Sequence, residues 1–112
     1  MPVLNSINQM LNEMTEWRHD LHKIPEIGLE EYETSKYIKN KLKEFNVNFK
    51  DGYSNTGIVA WVDGNKKMNE KTIGLRADFD ALPMPEKNEF DHKSTNKGMM
   101  HACGHDGHTT ML

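Results

Sequence analysis

The chain has 112 residues, 36% hydrophobic and 28% charged, with a formal net charge of -3. That length suits one small domain, and the mild acidic balance excludes a nucleic-acid binder built on a concentrated basic surface. No apolar run approaches the roughly 20 residues of a membrane span, and Met1 to Met14 lack the cationic start and apolar core of a secretory signal. A single cysteine leaves no internal disulfide framework, so a soluble, cytoplasmic protein in a reducing compartment is the expectation.

Taken in chain order, Ser6 to about Leu21 carries Ile7, Met10, Leu11, Met14, Trp17 and Leu21 at three- and four-residue spacings, the stripe of an amphipathic helix that packs on a core. Asn5 or Ser6 offers an N-cap. Pro25 closes the segment, because the residue before a proline avoids the helical region. A second helix is predicted from about Leu29 to Phe45, with Tyr37, Ile38, Leu42 and Phe45 on its apolar side. Its acids precede its bases, the order the helix dipole favours. The period then changes. Val47-Asn48-Phe49, Gly57 to Val62 and Thr72 to Ala77 read as strands, rich in branched and aromatic residues. Asp63-Gly64-Asn65 is a turn signal, and it predicts that the strands holding Trp61 and Leu75 pair as a hairpin. Helices followed by strands predict an α/β fold with a mixed sheet.

Asp78-Phe79-Asp80-Ala81-Leu82-Pro83 leaves the third strand directly. Two acids at i and i+2 on extended chain face the same way, so Asp78 and Asp80 can address one site. The other reading is that they cap the strand's exit and meet Arg76. Met84 to Gly98 is polar and reads as a surface loop or flap, with His92 in solvent. The segment His101-Ala102-Cys103-Gly104-His105-Asp106-Gly107-His108 then gathers the only cysteine and three of the six histidines. A thiolate and an imidazole separated by one glycine converge on a single ion where the backbone is extended or turning. Zinc accepts both donors, at about 2.3 Å to sulfur and about 2.0 Å to nitrogen. A loop without metal is the alternative. Thr109 to Leu112 reads as the opening turn of a helix, with Asp106 or Thr109 near its start.

Three blocks now stand in order: Trp17-Arg18-His19-Asp20-Leu21-His22 with Pro25-Glu26-Ile27-Gly28-Leu29-Glu30-Glu31; Arg76-Ala77-Asp78-Phe79-Asp80-Ala81-Leu82-Pro83; and Met100-His101-Ala102-Cys103-Gly104-His105-Asp106-Gly107-His108-Thr109. Together they resemble the amidohydrolase branch of the dinuclear zinc metallopeptidases, which includes hippurate hydrolases, N-acyl-amino-acid amidohydrolases and auxin-conjugate hydrolases. Phe79 stands where methionine is commoner. The resemblance implies that residues 1–112 form the N-terminal part of a catalytic domain, without the dimerisation domain. It implies that Cys103 and His105 are metal ligands, and that Asp80 and Asp78 stand behind them and orient them; His101 and His108 flank the ligands and either stand behind them too or, for His108, help begin the helix. Arg18, His19 and His22 are expected to hold helix and sheet together through polar contacts. The complete site would hold two divalent ions, zinc or else manganese, cobalt or nickel. The substrate implied is a small N-acyl amino acid or peptide whose amide bond is hydrolysed, and the full-length protein could be a homo-oligomer.

The resemblance places the general-base glutamate and further ligands downstream of Leu112. Glu26, Glu30 and Glu31 do not match that block, so no residue here is assigned a catalytic role, and the chain alone is expected to be inactive. Two other readings stay open: a non-catalytic metal-binding or interaction module, and the inactive product of a truncated gene.

Overall fold

A computed structural model describes residues 3–65 and 71–112. The elements run α1 (Asn5–Gln9), α2 (Leu11–Lys23), α3 (Tyr32–Glu44), β1 (Asn48–Tyr53), β2 (Gly57–Trp61) and α4 (His105–Met111), an α/β arrangement. The predicted first helix is interrupted at Met10, whose N–H bonds back to the Ile7 carbonyl in a tightened turn. Its apolar stripe is not a core face along its length. Leu21 is buried, Met14 and Trp17 are half-buried, and Ile7, Met10 and Leu11 are exposed. The reason is coverage. The short α4 packs on α2 near Arg18 and His22 and reaches no further than the middle of the stripe.

The end of α2 is closed from a distance. The Lys23 carbonyl accepts the Thr95 backbone N–H at 2.9 Å and its hydroxyl at 2.7 Å, and the Pro25 carbonyl accepts the Asn96 amide at 2.9 Å. These groups would otherwise be orphaned. Leu29 takes a left-handed φ of 72°, so α3 starts at Tyr32 rather than at Leu29. Its exposed N–H groups are satisfied by Glu26, whose carboxylate accepts Glu33 N–H (3.0 Å), Thr34 N–H (2.7 Å) and the Thr34 hydroxyl (2.7 Å). Asn46, at φ 56°, ends α3 in the left-handed turn that closes many helices.

β1 and β2 pair antiparallel from Asn48 opposite Trp61 to Tyr53 opposite Gly57, with an irregularity between Asp51 and Tyr53 where Gly52 adopts φ 86°. Ser54 and Asn55, both left-handed, make the turn. The hairpin is pinned to the start of α3: Ser35 Oγ donates to the Thr56 carbonyl (2.8 Å) and Thr56 Oγ1 to the buried Glu31 carboxylate (2.6 Å). This corrects the predicted strand pairing. Trp61 pairs with Asn48, not with the Leu75 segment. Among the described residues Thr72 to Ala77 forms no ladder, and Ile73 and Leu75 are 86% and 77% exposed. A three-residue connection lets β1 fold back on β2 locally, and that costs less loop-closure entropy than a distant partner. The described strands make one two-stranded antiparallel sheet within the expected α/β fold. The Asp63-Gly64-Asn65 turn ends at the edge of residues 66–70, which lie outside the described chain.

Two single bridges prepare the site. Ile27 pairs parallel to Ala81, and Leu82 pairs antiparallel to Met100. The first brings the Ala81 N–H to the Glu26 carbonyl at 2.7 Å; the second exchanges two 3.0 Å bonds. Asp80 therefore enters beside the α2–α3 junction and His101 beside Leu82. No described helix is long and apolar enough to cross a membrane.

Candidate metal centre

The centre forms where Asp78-Phe79-Asp80 runs past the first turn of α4. Gly104 precedes that helix at φ 84°, a conformation that only glycine enters without strain. The chain turns there between Cys103 and His105, and α4 begins at His105, four residues before the predicted start at Thr109. His105 and His108 lie one turn apart and so share a face. Both acids face them. His105 Nδ1–H donates to the Asp80 carbonyl (2.9 Å) and to Asp80 Oδ1 (3.0 Å). His108 Nδ1–H donates to Asp78 Oδ1 at 3.0 Å, and His105 Nε2 lies 3.6 Å from that same oxygen. The Thr109 hydroxyl adds a 3.0 Å bond to the Asp78 carbonyl. The hydrogen bond from His108 holds the Asp78 carboxyl below its ordinary range.

Asp78, His105 and His108 each offer a ligand atom, and these atoms all lie within 4.8 Å of one another. The donor set of two imidazoles and a carboxylate fits a divalent ion. Asp80 occupies Nδ1 of His105 and so leaves Nε2 with its lone pair outward, the arrangement by which a carboxylate orients a metal-binding imidazole. The predicted site residues are thus sorted. Asp78, His105 and His108 come together, Asp80 stands behind His105, and Cys103 is exposed and outside the three-residue group. His101 makes no hydrogen bond to any of them. It is 5% exposed, both ring nitrogens lack a partner among the described residues, and burial pushes its pKa down, so it is neutral.

The α2 residues bind a different layer from the one expected. Arg18 and His22 reach α4, not the sheet: Asp106 accepts Arg18 Nε at 3.4 Å and His22 Nδ1 at 2.8 Å. His22 Nε2 faces Glu86 at 3.0 Å. His19 stacks on His92 with centroids 3.7 Å apart, and Phe90 covers the other face of His92 at 3.9 Å. His92 is therefore packed against α2 and not a free loop residue. Burial opposes charge on His22, but the hydrogen bonds and charges of Glu86 and Asp106 outweigh it and raise its pKa. Sequence reasoning placed Asp106 only near a helix start and passed over Glu86. The spacing of Arg18 and His22, four apart on one helix, was a signal for an acidic partner. Glu86 sits among exposed polar residues and gave none.

Residues 74–112 match peptidase family M20/M25/M40. The chain is similar to that family over this segment. A hippurate hydrolase of Campylobacter jejuni is 42% identical over 112 residues, which is all of this chain and 29% of the relative. An IAA-amino acid hydrolase of Arabidopsis thaliana is 46% identical over 95 residues, 85% of this chain and 21% of the relative. The crystal structure of a Bacillus subtilis dinuclear metal-binding peptidase of the M20 family superposes with a TM-score of 0.84 at 36% identity, covering 92% of this chain and 28% of that one. The chain thus spans about a quarter of the length of these relatives.

Proposed function

We propose that these residues supply part of the metal centre of a hydrolase that cleaves the amide bond of N-acyl amino acids. The observation that carries the reading is the convergence of Asp78, His105 and His108, with Asp80 fixing the tautomer of His105. His105 is the central ligand, and Cys103, one glycine away, is a further donor whose thiolate favours zinc. A divalent ion bound there supplies Lewis acidity, which acidifies water to a pKa of about 7 and polarises an amide carbonyl. The chain's own residues orient and hold: Asp80 keeps the His105 lone pair outward, and Asp78 Oδ1 accepts the His108 Nδ1–H. The carboxylates nearby serve the fold, since Glu26 caps α3, Glu31 holds Thr56 and Glu86 holds His22. None is assigned as general base.

The relatives that act on hippurate and on IAA-amino acids support an N-acyl amino acid as substrate, with two divalent ions in the complete site as in the dinuclear neighbour. Zinc(II) or cobalt(II) titrated into the 112-residue chain by calorimetry should bind, and His105→Ala should abolish binding. Cys103→Ala should weaken it. Undiminished binding by His105→Ala would overturn the assignment. The chain by itself is expected to release no amino acid from N-acetyl or N-benzoyl substrates; metal-dependent release that Cys103→Ala removes would show that these residues suffice.

A further inference from the structure

Asp106 lies between His105 and His108 in sequence, yet it turns away from them into α2. Its side chain is 1% exposed, and it accepts His22 Nδ1 at 2.8 Å, Arg18 Nε at 3.4 Å and the Gly107 N–H at 2.9 Å. The Arg18 guanidinium lies over Gly107, where an added Cβ would stand 3.5 Å from its central carbon. On the far side of His22, Glu86 accepts Nε2 at 3.0 Å and also the Ser94 N–H and the Asn88 amide. A continuous line of hydrogen bonds therefore runs from loop 84–98 across α2 into the first turn of α4.

The direction of His105 and His108 depends on how α4 is rotated about its axis. Each residue advances about 100° around a helix, so a rotation of half that carries both rings off Asp78. A helix of seven residues does not hold itself. The described hydrogen bonds that can fix its rotation from the α2 side are those of Asp106. We infer that His22 is a positioning residue: through Nδ1 and Asp106 it sets the rotation of α4 and so aims His105 and His108 at Asp78. Its other nitrogen, through Glu86, holds loop 84–98 and leaves the aim unchanged. The inference rests on the metal reading of Asp78, His105 and His108.

Two substitutions separate the halves of the ring. An asparagine amide reaches the place of Nδ1 and keeps a donor for Asp106; a glutamine amide reaches the place of Nε2 and keeps a donor for Glu86. Cobalt(II) is titrated into the full 112-residue chain and its visible absorption bands and Kd are recorded, with thermal unfolding measured alongside. His22→Gln should weaken cobalt binding by about 10-fold or more, as loss of outer hydrogen-bond partners does, and shift the bands. His22→Asn should keep both close to wild type. Glu86→Gln should lower the melting temperature and leave the spectrum unchanged. Equal effects of the two His22 substitutions, no effect of His22→Gln, or a changed spectrum in Glu86→Gln would each overturn the inference. A wild-type chain that binds no cobalt would instead overturn the metal reading beneath it.

Discussion

Gly104 decides whether Cys103 and His105 can serve one centre. Its φ of 84° lets the chain reverse between the thiol and the ring before α4 begins. Gly104→Ala forces a side chain into the left-handed region at a cost of roughly 1–2 kcal/mol, and nothing within 4 Å obstructs the added Cβ. The loss should therefore appear as backbone strain alone. Urea unfolding should show that decrease, and metal affinity should fall with it. The ligand-rich segment was legible in the sequence because soft and borderline donors were crowded into a few residues. The partners were less so. That Asp78 and Asp80 face the same way followed from the two-residue period of extended chain. That Asp78 meets His108 while Asp80 meets His105 did not, because both pairs join positions 25 to 30 residues apart.

At the level of elements, the α2–α3 junction holds the site in place. Glu26 uses its side chain to cap α3 and its carbonyl to receive the Ala81 N–H, so one residue ties a helix start to the segment that delivers Asp80. Glu26→Ala should cost about 1–2 kcal/mol, the range for a lost cap, since the Thr34 hydroxyl keeps the Ile24 carbonyl at 3.4 Å as an acceptor. Thr34, fully buried beneath it, loses its 2.7 Å partner. Chemical denaturation followed by circular dichroism checks the value, and a change within error would refute the capping role. The helices themselves were readable from periodicity, from Pro25 and from the order of charges along α3. The sheet was misread because a strand pattern reports burial and propensity, not the partner. Thr72 to Ala77 has the composition of an inner strand and no neighbour among the described residues.

The pH dependence of stability belongs to the whole molecule, because the bridge through His22 joins α2, α4 and loop 84–98. The pKa of His22 is raised above 6.5. A raised folded pKa contributes stability that is complete below the unfolded value and is lost as pH climbs through the folded one. Wild type and His22→Ala should therefore differ most in unfolding free energy below about pH 6.5 and approach each other as the solution becomes alkaline. The comparison with the variant is needed because buried His101, with its pKa lowered, adds a loss of stability of its own as the pH falls below 6.5. Glu86 sets the acid limit. Burial opposes its charge, but bonds from Asn88, the Ser94 N–H and His22 lower its pKa from 4.5 to about 2. Its contribution is present above pH 4.5 and is lost as the pH falls toward 2. A variant difference that stays constant across neutral pH would remove His22 from the account.

The sequence by itself determined the local things: which segments coil, where Pro25 ends one of them, and which eight residues crowd metal-type donors together. Those follow from backbone sterics, side-chain period and donor type, all of which act over a few residues. Only the tertiary structure decided that β1 takes the edge of β2, that Asp78 closes on His105 and His108, and that Asp106 turns from them to His22. These depend on which distant surfaces exclude water together and which buried polar groups then find partners, and a linear pattern of residue types does not encode that choice uniquely.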